Sequence, residues 1–426
     1  MKIYKLSIFL VIIFFCSGTI HSFADAPKTL DECLDLARKN NYQMRQLDFE
    51  REVKRLRLKS AWNRIFPQIG FNMGYSNAKT VTYAPEIESQ SGEYTAGLSL
   101  TQSLFTSGAN WSSIKQAQNN YQIIEYKYIE TENSVSLRLK MKYYQVLRNK
   151  NLGQTRQSAV KRKENNLALI KLLYQVGNEK KTNLSQAEID RDRAKYDLLS
   201  AENNLRISLA RLNEEMGREP DAPLEIIEEL SYNEYEFNEK EAFTQAFNWR
   251  PDLKQKELNI EIAELDKISA RSDFLPTMAL SANYTWKDTD FFPERSGWNG
   301  KFTVSFPISN GFPLYTALKE KYINVDSLKL QKEELEGKIT ADVQEVCINL
   351  SLSDKNVEIS RKSLTVAQER ESLARLEYSQ GRISYGEFED IEVNLSKAET
   401  DWVESIYGYE IAKANFEYTI GKRGNK

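Results

Sequence analysis

Between Ala109 and Val176 the chain runs for 68 residues without a proline and is dense in Gln, Asn, Lys, Glu and Leu. At 1.5 Å per residue such a run makes a helix roughly 100 Å long, several times the usual globular length. A helix that long finds no compact domain to pack into, so it demands a coiled coil or a similar extended assembly. A turn near Gly177 to Lys181 sends the chain back along a second helix that ends near Gly217. Ala187, Ala194, Leu198, Leu205 and Leu212 recur there at multiples of three, four or seven, as a packed seam requires.

The same order then appears again. Thr29 to Phe66 reads as a helix stopped by Pro67, and Glu241 to Phe274 as a helix stopped by Pro276. ARSDFLPTMALSANYT (Ala270 to Thr285) lies over AWNRIFPQIGFNMGYS (Ala61 to Ser76) at an offset of 209. Gly311 matches Gly108, and Tyr378, Gly381 and Gly421 match Tyr174, Gly177 and Gly217 at a shared offset of 204. Proline stops, strand patterns and glycine turns repeated in one order identify an internal duplication. The expected division is a signal peptide at 1–24 and a first repeat at 25–217, with hairpin 68–105, long helix 109–176 and returning helix 182–217. An inter-repeat segment at 218–240 follows, then a second repeat at 241–421, with hairpin 277–307, long helix 313–380 and returning helix 386–421, and a tail at 422–426.

Each hairpin switches the apolar period from 3.6 to 2. Ile69, Phe71, Met73 and Tyr75 alternate with small or polar residues, as do Tyr94, Ala96, Leu98 and Leu100 after a polar loop of about 17 residues. In the second repeat Met278, Leu280, Ala282, Tyr284 and Trp286 are answered by Phe302, Val304 and Phe306. Strands of nine to eleven residues with this alternation suit a transmembrane barrel, yet four of them cannot close one, so the chain is expected to oligomerise around a shared barrel. Tyr75, Tyr94, Trp286 and Trp298, near the strand ends, are the expected aromatic girdle at the lipid interface.

Lys2, Lys5, the apolar run Leu6 to Phe15 and the small residues Ser22 and Ala24 compose a secretory signal peptide with cleavage after Ala24. No other stretch approaches 18 uninterrupted apolar residues, so a membrane contact must be made by strands. The 58 basic and 61 acidic side chains are interspersed, which argues against a nucleic-acid partner. The single histidine, His21, lies in the signal peptide, and beyond it only Cys33 and Cys347 remain as cysteines, read as unpaired core residues. No His-based triad, usual zinc set, CxxC or GxxxxGK[ST] motif is present, and neither enzymatic activity nor a cofactor is expected.

The duplication, the helix-Pro-strand junctions at Phe66-Pro67 and Leu275-Pro276, the hairpin exits SLFTSG (Ser103 to Gly108) and FPISNG (Phe306 to Gly311), and the Tyr-x-x-Gly turns resemble the TolC-like outer-membrane efflux proteins. That resemblance implies a mainly α protein with a membrane β-barrel portion. Three chains of four strands would build a twelve-stranded barrel, continued into the periplasm as a tube of twelve helices. It further implies an exit duct of a tripartite efflux or type I secretion system, partnered by a periplasmic adaptor and an inner-membrane pump. By the same resemblance the second-repeat turn carries the gate: Tyr378 takes the place of the gate tyrosine, and Glu387 and Asp390 those of the acidic positions. Ile383 stands where the family has an arginine, with Arg382 one place earlier. Adaptor contact would fall on Val176, Gly177, Asn178, Gln380, Gly381 and Arg382. Two other readings of the chain are a non-transport coiled-coil surface protein and a pump-independent porin. For Glu387, Glu389 and Asp390 the alternative is a solvated helix N-terminus.

Overall fold

The computed structural model describes residues 27–83, 86–227, 231–308 and 312–422, and the side chains of 79–91 are left aside. The expected signal peptide, Gly311 and the residues after Lys422 lie outside the described residues.

Twelve elements follow one another among the described residues: α1 (Leu30–Asn40), α2 (Tyr42–Asn63), β1 (Gln68–Tyr83), β2 (Glu86–Phe105), α3 (Ala109–Gln175) and α4 (Lys181–Glu215), then α5 (Glu239–Trp249), α6 (Pro251–Ser272), β3 (Thr277–Asp288), β4 (Arg295–Ser305), α7 (Phe312–Ser379) and α8 (Tyr385–Thr419). Each half is two short helices, a hairpin, a very long helix and a returning one.

Three sequence expectations are corrected. The helix expected over Thr29 to Phe66 is two, because Asn41 turns to φ −58° and ψ 132° and its side chain caps α2 by accepting from Gln43 N–H. Asn41 is buried, and its amide donates to the Glu215 carbonyl at 2.8 Å, so a tertiary contact holds the break. The helix expected over Glu241 to Phe274 is likewise two, since Pro251 drives Arg250 to extended backbone and itself opens α6. The polar loop of about 17 residues is strand instead: the β1–β2 register continues without a break from Ser76↔Glu93 to Tyr83↔Glu86. Mutual pairing satisfies the backbone there whatever the side-chain polarity.

The four strands form one antiparallel sheet in the order β1-β2-β3-β4, leaving β1 and β4 as edges. Residues paired across strands share a face. The register therefore gathers Ile69, Phe71, Met73, Tyr75, Tyr94, Leu98, Leu280, Tyr284, Trp286, Trp298, Phe302 and Val304 on one side. The other side holds Asn72, Ser76, Thr95, Ser99, Ser281, Asn283, Asn299 and Thr303. Among the described residues the apolar side is largely uncovered: Ile69 is 75% exposed, Phe71 66% and Trp298 80%.

The helices form a row beside one another as the strands do. Near the sheet the row is α2, α3, α6, α7; toward the far end it is α4, α3, α8, α7, with α3 and α7 running through both. Three apolar cores hold the row. Cys33, Leu139, Tyr143 and Leu212 cluster under α1, and Ile339, Cys347, Tyr409 and Phe416 under α5. Ile170, Ala374, Tyr378 and Phe388 close the far end. Cys33 and Cys347 are buried in separate cores. Each large side chain so buried contributes about 1.5–3 kcal/mol.

Gly217 and Gly421 end the two returning helices at positive φ, +69° and +71°, and each abuts the break between the paired short helices of its own half. A Cβ on Gly217 would sit 2.4 Å from the Asn40 carbonyl oxygen, whereas one on Gly177, at φ +81°, would meet nothing within 4 Å. Gly177→Ala is expected to cost about 1–2 kcal/mol from backbone conformation alone, and Gly217→Ala clearly more. Paired denaturant titrations of the two variants check the order, and equal losses would contradict the close packing at Asn40.

Candidate functional site: the two helix turns at the far end

Both long helices end in the same hydrogen-bonded turn. The Gly381 N–H donates to the Tyr378 carbonyl at 2.9 Å and the Arg382 N–H to the Glu377 carbonyl at 2.9 Å; in the first half Gly177 donates to Tyr174 and Asn178 to Leu173. This is the Schellman closure, which places its glycine in the left-handed region. Gly381 has φ +71°, and a Cβ there would meet nothing within 4 Å, so backbone conformation rather than space calls for glycine. Val176, Gly177, Asn178, Gln380, Gly381 and Arg382 are all exposed at this end.

The matching tyrosines differ in role. Tyr174 is exposed, whereas Tyr378 is buried, stacked on Phe388 at 5.0 Å with parallel rings. Its hydroxyl donates to Glu179 Oε2 at 2.8 Å, which ties the second turn to the first. Glu179 also accepts from the Lys180 N–H at 2.8 Å and from the Asn183 amide at 2.7 Å. Partial burial pushes the Glu179 carboxyl up, but these donors together outweigh it and hold it below the ordinary value. Burial, then the Glu179 carboxylate, pushes the Tyr378 hydroxyl well above the ordinary range. Glu179 was not singled out in the sequence. The available signal was that it is the one carboxylate in the first turn, at the position where the second has Ile383.

A second tyrosine repeats the device one turn further in. The Tyr385 hydroxyl donates to Asp190 Oδ2 at 2.9 Å, linking α8 to α4. Deeper still, Lys163 on α3 lies between two carboxylates of α8, 2.6 Å from Glu389 and 2.8 Å from Glu392. Glu392 is 1% exposed and also faces Arg375 at 3.4 Å. Burial raises the Glu389 carboxyl despite its lysine, with Asp190 and Glu392 adding to the rise. Glu389 is therefore not a solvated helix-end acid but part of an internal ion cluster joining α3 to α8.

The predicted gate acids are placed differently from one another. Ser384 caps α8, and Glu387 closes the capping box by accepting from the Ser384 N–H at 2.8 Å and hydroxyl at 3.0 Å. Those Ser384 donors hold its carboxyl below the ordinary value. Asp390 and Arg382 are exposed, and their side chains make no ion pair or hydrogen bond among the described residues. The chain thus brings Tyr378 to Glu179 but does not join Arg382 to Glu387 or Asp390.

At the other end, Tyr75 and Tyr94 are directly paired across β1 and β2 with ring centroids 4.7 Å apart. They lie mid-strand rather than near strand ends, because the first hairpin is longer than expected, and they stand level with Asp288, where β3 stops. Trp286 and Trp298 share their apolar face slightly nearer the helices.

This geometry can be set beside known proteins. The profile of the outer membrane efflux protein family matches residues 33–218 and 243–421, one segment in each half. The chain belongs to that family. As a family member, it is 27% identical to outer membrane protein TolC of Vibrio cholerae serotype O1 over 205 residues, which is 47% of this chain and 45% of that protein. It is 21% identical to outer membrane protein TolC of Salmonella enteritidis over 401 residues, 90% of this chain and 80% of that one. The fold matches the outer membrane channel CmeC of Campylobacter jejuni with a TM-score of 0.81 at 16% identity, over 94% of this chain and 90% of that one. The fold is therefore the helical tube with a β-barrel portion found in outer-membrane channels, and the outer membrane is where this efflux protein resides.

Tyr378→Phe keeps the Phe388 stack and removes the link to Glu179, a loss of about 1–2 kcal/mol between the turns. The Glu179 contribution has a defined sign: with its folded value depressed, it is fully present above the ordinary carboxyl value and lost as pH falls through the lower folded one. Amide protection relative to the intrinsic exchange rate at residues 174–184 and 378–388 should therefore fall in Tyr378→Phe near neutral pH and in the wild type only below about pH 4.5. Identical exchange in both proteins at neutral pH would contradict the tether.

Proposed function

We propose that the protein is the exit duct of an efflux or secretion assembly: a homotrimer whose twelve strands form one barrel in the outer membrane and whose helices form a tube reaching into the periplasm. The observation that carries this reading is the sheet, with its apolar face uncovered and both edges unpaired. In hydrocarbon an unpaired edge costs several kcal/mol per group, so copies must join β4 to β1 until the ring closes. Such a heterologous contact closes when the rotation per copy allows it.

The helices support the same closure. The outer members of the row carry exposed apolar lines: Phe49, Val53 and Leu56 on α2, Ile189 and Tyr196 on α4, and Leu352, Ile359, Val366 and Leu373 at seven-residue intervals on α7. These lines lie on the same two flanks as the free strand edges, α2 and α4 with β1, α7 with β4. They favour a duct over a pump-independent porin, which has no use for two helices of 67 and 68 residues. They also disfavour a coiled-coil surface protein, which has no use for the sheet.

In this reading the far-end turns are the periplasmic mouth. The Tyr378–Glu179 bond and the Tyr385–Asp190 bond hold the second helix pair against the first, and their release widens the mouth. The open, unhindered backbone at Gly177 and Gly381, flanked by Val176, Asn178, Gln380 and Arg382, suits contact with a periplasmic adaptor bound to an inner-membrane pump. Three copies of Asp390, with Glu387 beside its cap, present an acidic ring there that attracts cations. Tyr75, Tyr94, Trp286 and Trp298 serve as the membrane girdle. Transport is passive, with the driving force and most of the selectivity supplied by the pump.

Two measurements test the reading. Purified protein in a planar bilayer should give discrete single-channel steps, enlarged in Tyr378→Phe; a silent bilayer would refute the duct. Leu352→Glu with Ile359→Glu should abolish the trimer on native electrophoresis while leaving far-ultraviolet helicity intact, and an unchanged trimer would remove α7 from the subunit interface.

A further inference from the structure

The polar face of the sheet carries an unbalanced charge. Among its described residues the cations are Lys287, Arg295 and Lys301, and the carboxylate is Glu93 alone. Lys287 and Arg295 are directly opposite each other on β3 and β4, an arrangement that is unfavourable for like charges unless an anion intervenes. Glu93 approaches Lys287 at 3.5 Å and thereby offsets one of the pair. Glu93, Lys287 and Arg295 line a concavity of 740 Å³ together with Asp288, so these two cations have acids beside them; in a membrane barrel the polar side is the one that faces the lumen.

Lys301 is the clearest case. It lies six residues from Arg295 along β4, about 20 Å nearer the helices, opposite Ser281 and in line with Thr101 and Gln68. It is exposed and makes no ion pair among the described residues. β4 is an edge, so a neighbouring copy would bring β1 beside it, and β1 contains no Asp or Glu over its whole length. Assembly therefore leaves Lys301 uncompensated. The acids Asp288, Asp290 and Glu294 belong to the end of β3 and the turn beyond it, on the far side of Arg295.

We infer that Lys301, repeated around the barrel, forms a cationic ring in the lumen that draws anionic solutes, carrying carboxylate or phosphate groups, into the outer section of the duct. The inference rests on the duct reading above. Charges lining a narrow low-dielectric passage concentrate counter-ions, and lumen side chains of membrane barrels tune selectivity. The Lys301 level thus opposes the acidic mouth at the other end: cations are favoured at entry and anions at exit.

Reversal potentials across a potassium chloride gradient at low ionic strength, where screening is weakest, provide the test. Lys301→Gln should raise the potassium-to-chloride permeability ratio by at least about twofold, Lys301→Glu should raise it further, and Lys301→Arg should leave it at the wild-type value. Channels of Lys301→Gln and Lys301→Glu that conduct but keep the wild-type ratio would overturn the ring while leaving the duct standing. A wild-type protein that conducts nothing would overturn the duct, and the ring with it.

Discussion

Backbone hydrogen bonding in a medium without water is the constraint on which the rest of this structure depends. Four strands expose two rows of unpaired N–H and C=O groups at β1 and β4, and an apolar phase offers no solvent to satisfy them. The sheet is therefore unfinished by itself, and in the proposed trimer neighbouring copies complete it by joining β4 to β1. The order β1-β2-β3-β4 is repeated in the order α2, α3, α6, α7, so closing the barrel brings the outer helices of adjacent copies together as well. In the proposed trimer one closure would serve both the sheet and the helical row.

The helical part meets a different constraint, that of length. A helix of 67 or 68 residues cannot be held by a single core, and each long helix meets two: α3 runs from the cluster around Tyr143 to the one around Phe388, and α7 from the cluster around Tyr409 to that same far-end one. The shorter helices meet end to end where Gly217 approaches Asn40 and Gly421 approaches Trp249, so two helices cover the flank of one long helix in each half. Glycine is required at these joints for close approach, and at Gly177 and Gly381 for backbone conformation alone.

The far end is where packing and charge are most tightly coupled. Tyr378 and Tyr385 bury their rings in the last apolar core yet deliver their hydroxyls to Glu179 and Asp190. Separating the two helix pairs at this end would strip partners from buried polar groups, which a low-dielectric interior makes expensive. Behind them the Lys163, Glu389, Glu392 and Arg375 cluster fixes α8 against α3.

Much of this was written in local patterns. The duplication, the proline stops before β1 and β3, the glycine turns and the alternation of apolar residues on each strand are properties of neighbouring residues, and they alone indicate very long packed helices joined to an incomplete barrel, with the tube implied by the family resemblance. Pro251 also marked the break between α5 and α6. What required the folded chain were pairings between residues far apart in sequence. Asn41 breaks its helix because Glu215 lies beside it, the first hairpin extends past Ser76 because the opposite strand supplies its hydrogen bonds, and Tyr378 differs from Tyr174 because Glu179 comes within reach of its hydroxyl. Glu387 and Glu389, adjacent in kind and nearly in position, part company for the same reason: one closes its own helix cap while the other meets a lysine more than two hundred residues away. Periodicity records which face a side chain takes. Only the three-dimensional path of the chain decides what waits on that face.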